Sequence, residues 1–396
     1  MLGIAACSVA VLSAGVASTG CSEDSNAGDA QAGDADPGFD GGDTATTADG
    51  PDAAPPLPRG SRVLGLAVAV DDLDFPSNVQ IARDAGARTA NATFGWDEIE
   101  RPYDADAGDD AGADSGADGG TPTQLFNPVL HIVNLVLSDS RMGVTLTIDA
   151  LDVGGSRAPT ELATRPLDDL EVSARYDRMI DYVLTQLHDV DITALLVASS
   201  VDVPLGDDAA KHAAFAAFLT RAAAHVHAVR PMLPVGFTVT ATGAVARKDR
   251  LGPAWAAADV LGVTYFPIDA AARVRPPSAV GADIDAFVGA FPTGKPILLR
   301  EAGYPTAAAC GGSDAAQAAF VTALFGAWDR HADRMPVVTF RELVDARTDT
   351  ASFEASRTGR SDAAFLGFLR SLGLRGAGTT KPGFEALISG ARARGF

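Results

Sequence analysis

Residues 296–330 read PILLREAGYPTAAACGGSDAAQAAFVTALFGAWDR, and the architecture of the chain turns on them. The apolar run Ile297-Leu298-Leu299 ends on a carboxylate, Glu301, and turns through Gly303-Tyr304-Pro305; Phe320, Leu324 and Trp328 then follow at spacings of four. The run is apolar without alternation, as in a strand covered on both faces, and the spacing behind it puts the large side chains on one face of a helix. Working outward, the same unit recurs. Strands are predicted at 63–70, 88–94, 143–149, 192–199, 234–240, 260–266, 296–301 and 336–340, with helical stretches between them such as Tyr176, Met179, Ile180, Val183 and Leu187. Eight β-then-α units in series predict an α/β chain folded as a (β/α)₈ TIM barrel; a doubly wound parallel sheet is the alternative built from the same units.

The chain has 396 residues, with 31 Lys and Arg against 51 Asp and Glu, a formal charge of −20 that argues against a nucleic-acid partner. The acidity is local. Residues 22–58 hold nine Asp or Glu and no Lys or Arg, and residues 104–118 hold six Asp; without these fifteen, 36 acidic residues face 31 basic ones. Residues 22–60 are Asp, Gly, Ala, Ser, Thr and Pro with almost no large apolar side chain, the composition of a disordered tether. Residues 103–124 repeat it inside the predicted barrel domain, 62–395; without the Gly and the terminal Glu of a calcium loop, they read as a solvated insertion.

Residues 1–21 are a short apolar stretch closed by Ser18-Thr19-Gly20-Cys21, too short to span a bilayer. A cysteine directly after small residues is similar to a bacterial lipobox, so Cys21 is the expected lipidation site and the mature chain is expected outside the cytoplasm, lipid-anchored to an envelope membrane; an ordinary secretory signal is the alternative. With Cys7 in the signal and Cys21 at the anchor, Cys310 is left alone, and no internal disulfide framework is possible.

Barrel enzymes carry their chemistry at the carboxyl ends of the strands. Carboxylates follow several of them, among them Asp149 and Asp152 after the third, Asp202 after the fourth, and Glu342 and Asp345 after the eighth. Glu301 stands out, since a carboxylate at the end of a buried apolar strand is costly without a partner or a task. Arg300 is a candidate partner, although adjacent residues on a strand face opposite ways. Trp96, ending the second strand, suits either a sugar-stacking platform or the core. Signatures of an esterase elbow, a phosphate loop and a dinucleotide fold are missing, and no cofactor or metal is expected. His225 and His227, two apart in a helix, point to different faces, and Cys310 has no neighbouring His or thiol in the sequence.

The strings NATFGWDEIERP (91–102), VTLTIDALDVGGSRAP (144–159), LLVASSVDVPL (195–205), ADVLGVTYFPI (258–268), KPILLREAGYPT (295–306), CGGSDAAQAAFV (310–321) and LRGAGTTKPGFEAL (374–387) resemble bacterial glycoside hydrolases of the large retaining (β/α)₈ clan, including proteins similar to endo-β-1,4-galactanases. That clan uses two glutamates about 5 Å apart, a nucleophile ending strand seven and an acid/base ending strand four. The resemblance implies that Glu301 is the nucleophile and that Asp149, Ser199, Asp202 and Tyr265 gather around it with Trp96 alongside, facing a polysaccharide or oligosaccharide. The chain is expected to be a monomer.

Two positions depart from the family. Where Gly-Asn-Glu-Val-Asp is expected, the chain reads Ala198-Ser199-Ser200-Val201-Asp202, so Ser200 stands at the acid/base position. Where a tryptophan usually floors the sugar site, it reads Thr339-Phe340-Arg341-Glu342. A hydroxyl is no general acid near neutral pH, and losing that assistance removes on the order of 10²–10⁴ in rate. Glu342 is the candidate substitute acid. Two functions remain: a retaining hydrolase of extracellular polysaccharide with impaired acid catalysis, and a lipid-anchored carbohydrate-binding protein on a non-catalytic barrel. On sequence grounds alone, an aryl glycoside with a strongly acidic phenol is expected to react at Glu301, since such a leaving group needs no acid.

Overall fold

The computed structural model describes residues 55–70, 72, 74–102, 123–292 and 294–396; the signal segment with Cys21, the tether up to residue 54 and residues 103–122 of the insertion lie outside them. Eight strands form one closed parallel barrel: β1 (Val63–Leu66), β2 (Thr89–Gly95), β3 (Gly143–Asp149), β4 (Ile192–Leu196), β5 (Val235–Thr240), β6 (Val260–Tyr265), β7 (Ile297–Ala302) and β8 (Val337–Phe340). Each pairs with its neighbours in the chain, and β1 closes on β8 with Val63 opposite Val337. This is the TIM barrel expected from the eight apolar runs, and a doubly wound sheet, which is open, is excluded.

Helices follow the strands: α1 (Phe75–Asp84), α2 (Pro128–Asp139), α3 (Leu170–Gln186), α4 (Ala209–Val229), α5 (Lys248–Ala257), α6 (Val280–Ala290) and α7 (Asp314–Arg330). After β8 the chain makes an excursion through α8 (Thr348–Arg357) and α9 (Ala363–Arg370) before α10 (Pro382–Arg392) returns to the wall. Local capping sets several starts: Asn127, Asp169, Asp208 and Ser313 each accept a bond from a backbone N–H in the first turn of the helix they precede. Glu100–Pro102 and Thr123–Leu125 pair as antiparallel strands, so Thr123 and Gln124, read from the sequence as the end of the solvated insertion, belong instead to a strand, with Gln124 buried.

Alternation divides the strands between two cores. Leu64, Leu66, Leu261, Val263, Val338 and Phe340 face the helices in the main apolar core. Inside the barrel, Val63, Ala194, Leu196, Val260, Leu298 and Val337 make a small apolar base. Above it the interior turns polar, with Asn91, Thr93, Thr145, Thr147, Thr238 and Thr339 all buried. Room for these side chains comes from glycines at facing positions. A Cβ on Gly65 would lie 2.2 Å from the Thr339 hydroxyl.

We predict that Gly65→Ala destabilises the fold by about 1–3 kcal/mol, as overpacking does. Thr339→Ala added to it recovers part of that loss, because the clash is with this one side chain. Denaturant melts of the two single variants and the double variant measure the coupling.

Candidate active site at the barrel mouth

β7 delivers the site through an irregularity. Leu299 pairs with Val263 and Glu301 with the next residue, Thr264, so Arg300 is an extra residue against β6; the register against β8 also shifts between Leu299 and Ala302. Such a bulge re-aims the side chains that follow it. Arg300 and Glu301, which strict alternation would send to opposite faces, therefore both point inward, and the Arg300 guanidinium reaches across the barrel. Its Nε donates to Thr147 Oγ1 at 3.0 Å, one Nη donates to Thr93 Oγ1, and the other binds Glu301. Asn91 Nδ2 donates to the Arg300 carbonyl at 2.6 Å.

Glu301 is completely buried, at 0% exposure. Its second oxygen accepts from Arg341 Nη1 at 3.1 Å, and the other end of the Arg341 guanidinium bonds both oxygens of Glu354 at 2.8 and 3.1 Å. Arg341 thus occupies the space beside Glu301. Glu354 arrives on α8, which rests on its own apolar cluster of Phe266, Ile268, Ala351, Ala355, Phe365 and Phe368. The same helix brings Arg357, whose Nη2 lies 2.8 Å from both oxygens of Asp152. Arg157 binds Asp152 from below at 3.1 Å and extends to Asp97 and Glu98, passing so close over Gly95 that a Cβ there would lie 1.9 Å from it.

Four guanidinium groups, those of Arg157, Arg300, Arg341 and Arg357, face a larger set of carboxyls at the mouth. The imbalance is met by protons. Burial pushes the Asp149 carboxyl up to about 7, helped by the charge of Asp152 and opposed by Ser199, Arg300 and Arg157. Burial also pushes Glu354 up to about 8; Arg341 opposes the rise, and the negative charges of Glu342 and Glu301 add to it.

The other expected site residues are placed as follows. Asp149, Ser199 and Ser200 are fully buried at the mouth. Ser200 lies beyond the end of β4 in the left-handed region, at φ 49°, and its hydroxyl meets no protein hydrogen-bond partner among the described residues. β4 stops at Leu196, and Asp202, expected beside Glu301, instead starts a short helix, Asp202–Leu205. Asp202 accepts from the Thr240 N–H at 2.8 Å and the Thr240 hydroxyl at 2.7 Å, so it fastens the end of β5 rather than facing a ligand.

Tyr265 does not join Glu301. It ends β6 on the outward face, packs near Phe287 and Phe320, and donates to Asp283 Oδ2 at 2.9 Å. Trp96 has 0% exposure, crosses Tyr176 edge to face at 5.1 Å and donates from its indole to Glu100 at 2.8 Å; stacking a sugar needs an open face, which this ring lacks. Glu342 is 6% exposed, next to Arg341 and within electrostatic reach of Glu354. His225 and His227 go to separate carboxylates, Asp181 at 2.8 Å and Asp259 at 3.0 Å, and Cys310 is buried with its thiol on the Ala307 carbonyl. Arg157, Arg341, Glu354 and Arg357 carry much of the site and were not singled out by the sequence. Arg341 had a signal, because it stands at the departure on strand eight; Glu354 and Arg357 had none beyond charge in a short helix.

No family model matches the sequence, and no curated protein does. Solved structures do resemble the fold. GH5_18 from Streptomyces cattleya, in a variant solved with Manβ1-4GlcNAc, superposes with a TM-score of 0.59 at 13% identity over 84% of this chain and 80% of that one. The exo-β-1,4-mannosidase Op5Man5 from an Opitutaceae bacterium gives 0.59 at 16% identity over 87% of this chain and 62% of that one. The GH53 catalytic domain of Ignisphaera aggregans gives 0.56 at 14% identity over 84% and 96%. These likenesses define the fold: the chain is a (β/α)₈ barrel of the kind these glycoside hydrolases share.

Asp149 and Glu354 keep protons in the folded chain at pH values where the unfolded chain, with ordinary values of 3.8 and 4.5, has released them. Their contribution to stability is complete below those ordinary values and is lost as pH rises through about 7 and about 8. We predict that stability falls from about pH 5 to about pH 8 by as much as ~1.4 kcal/mol per pH unit for each group. Thermal melts across that range check the slope, and Asp149→Asn and Glu354→Gln should each flatten it.

Proposed function

We propose that this chain is a carbohydrate-binding protein built on a glycosidase barrel whose reaction centre has become an ionic core. On this reading it works outside the cytoplasm, held to a bacterial envelope membrane by acyl groups on Cys21 through the acidic tether. The observation that carries the proposal is Glu301, with no exposed surface and with its two oxygens on Arg300 and Arg341. A retaining nucleophile must approach the anomeric carbon to about 3–3.5 Å. Here guanidinium groups occupy that approach and stabilise the carboxylate that would have to give up its charge. Ser200 at the acid/base position supports the same reading, since no side chain there can protonate a leaving oxygen. Carbohydrate as the ligand is supported by the glycosidase-like fold and by the disaccharide in one of the similar structures.

One observation favours turnover instead. Glu354 holds a proton near neutral pH and shares Arg341 with Glu301, which is the protonation state a general acid needs. That reading requires Arg341 to leave Glu301 and α8 to lift from the mouth.

The two readings separate on 2-deoxy-2-fluoro glycosides with a dinitrophenol leaving group, which need no acid and leave a slow covalent intermediate. Contrary to the expectation from sequence alone, intact mass spectrometry should show no sugar adduct on the wild type, while the protein retains neutral oligosaccharides on a glycan array. An adduct absent in Glu301→Gln would establish the hydrolase and overturn the binding reading. In the same preparation, the mature chain should enter the detergent phase of a partition; an unmodified Cys21 in the aqueous phase would refute the anchor.

A further inference from the structure

Apart from the charged cluster around Glu301, a cavity of about 310 Å³ opens between the ends of β5 and β6, a short helix, Ala241–Ala246, and α6. Tyr265 and Phe266 are in its lining and Glu301 is not; Tyr265 enters it from the side of the strand that faces away from the barrel axis. Its size is at the small end of the roughly 300–1,000 Å³ of small-molecule pockets, enough for one ring and not for a chain.

Its chemistry is specific. Arg275 and Asp283 are the only charged residues in the lining, and they pair at 2.7 Å, so the cavity is neutral overall. Asp283 Oδ2 takes the bonds from both Tyr265 and Arg275, which fixes the carboxylate in one orientation and leaves Oδ1 for another donor. The Arg275 side chain is about half exposed, at 48%, with further N–H groups beyond the one bound to Asp283. An oriented acceptor beside an oriented donor matches a vicinal diol, which donates one hydrogen bond and accepts another. The rest of the lining combines Thr240, Thr242 and Thr264 with apolar side chains, among them Val245, at 44% exposure, Ala246, and Ala286 one turn after Asp283 on α6. An exposed valine at the lip of a cavity is surface that a ligand can cover.

We infer that this cavity binds a single neutral sugar ring, with its hydroxyl edge on Asp283 and Arg275 and its C–H face on Val245 and Ala286. The inference rests on the carbohydrate-binding reading and locates it at the ends of β5 and β6 rather than at Glu301. Neutral ligands are favoured because the two charges adjoin: an anion drawn to Arg275 is repelled by Asp283 beside it, and a cation drawn to Asp283 by Arg275.

The test is titration of the full chain with methyl glycosides of glucose, galactose, mannose and N-acetylglucosamine by calorimetry and ligand-observed NMR, with methyl glucuronide as the charged comparison. At least one neutral glycoside should bind, with the glucuronide at least about tenfold weaker. Ala286→Trp places an indole in the cavity from an exposed helical position and should abolish binding without lowering the melting temperature; Asp283→Asn should weaken it about tenfold or more. Binding unchanged in both variants would overturn the assignment of the cavity and leave the carbohydrate reading standing. If none of these glycosides binds while longer oligosaccharides do, the single-ring inference fails alone. If neither class binds, both fail together.

Discussion

A guanidinium group inside a β-barrel governs the upper half of this molecule. Arg300 is fully buried, and an isolated cation there would cost several kcal/mol in lost hydration. The barrel meets that demand with two threonine hydroxyls from the opposite wall and with Glu301 on the same strand. The bulge at β7 makes the last of these possible, since without the extra residue Glu301 would face the helices. One irregularity in hydrogen-bond register thus converts neighbours in sequence into partners in space. Once Glu301 is committed to Arg300, its remaining oxygen recruits Arg341, Arg341 recruits Glu354, and a continuous ionic core extends from the barrel interior to α8.

The two positions at which the sequence departs from the glycosidases it resembles meet in one place. Ser200 puts a hydroxyl, and Arg341 a guanidinium group, where the resemblance led one to expect a carboxyl and an aromatic floor. In the structure both are buried, and the mouth between them is packed. Helix α8 completes the closure because an apolar cluster of its own, built on Phe266, Phe365 and Phe368, holds it down independently of the charges beneath it. The surplus of carboxyls is carried as protons on Asp149 and Glu354, which keeps the buried network near neutrality and makes it sensitive to alkaline pH.

The fold was legible in the sequence and the site only partly so, for a physical reason. Each barrel strand advertises itself through burial on both faces: the runs at 143–149 and 260–266 have almost no other reading, and all eight appear within a few residues of their expected ends. Side-chain direction is a finer property. It failed at Tyr265, whose place at the end of a strand was clear but whose outward face was not, and at Asp202, expected beside Glu301 but carried past the end of β4 into a short helix that ties it to Thr240. The pairing of Arg300 with Glu301 looked forbidden by alternation because a bulge leaves no mark in composition. Trp96 was open between two roles, and its indole bond to Glu100 within a core of aromatic rings decides for the second. Glu354 and Arg357 come from an excursion after the last strand, where contacts depend on how two short helices dock and not on any local pattern.

Closure of the mouth over Glu301 is the claim on which the functional reading stands, and carboxyl footprinting tests it directly. The native chain would be treated with a water-soluble carbodiimide and an amine, and labelling measured residue by residue. Glu161, whose side chain is 51% exposed, sets the rate for an open carboxyl. Glu301 and Glu354 should stay unlabelled until the protein is unfolded. Labelling of Glu301 in the native chain at a rate comparable to that of Glu161 would show an open cleft, and would contradict the account.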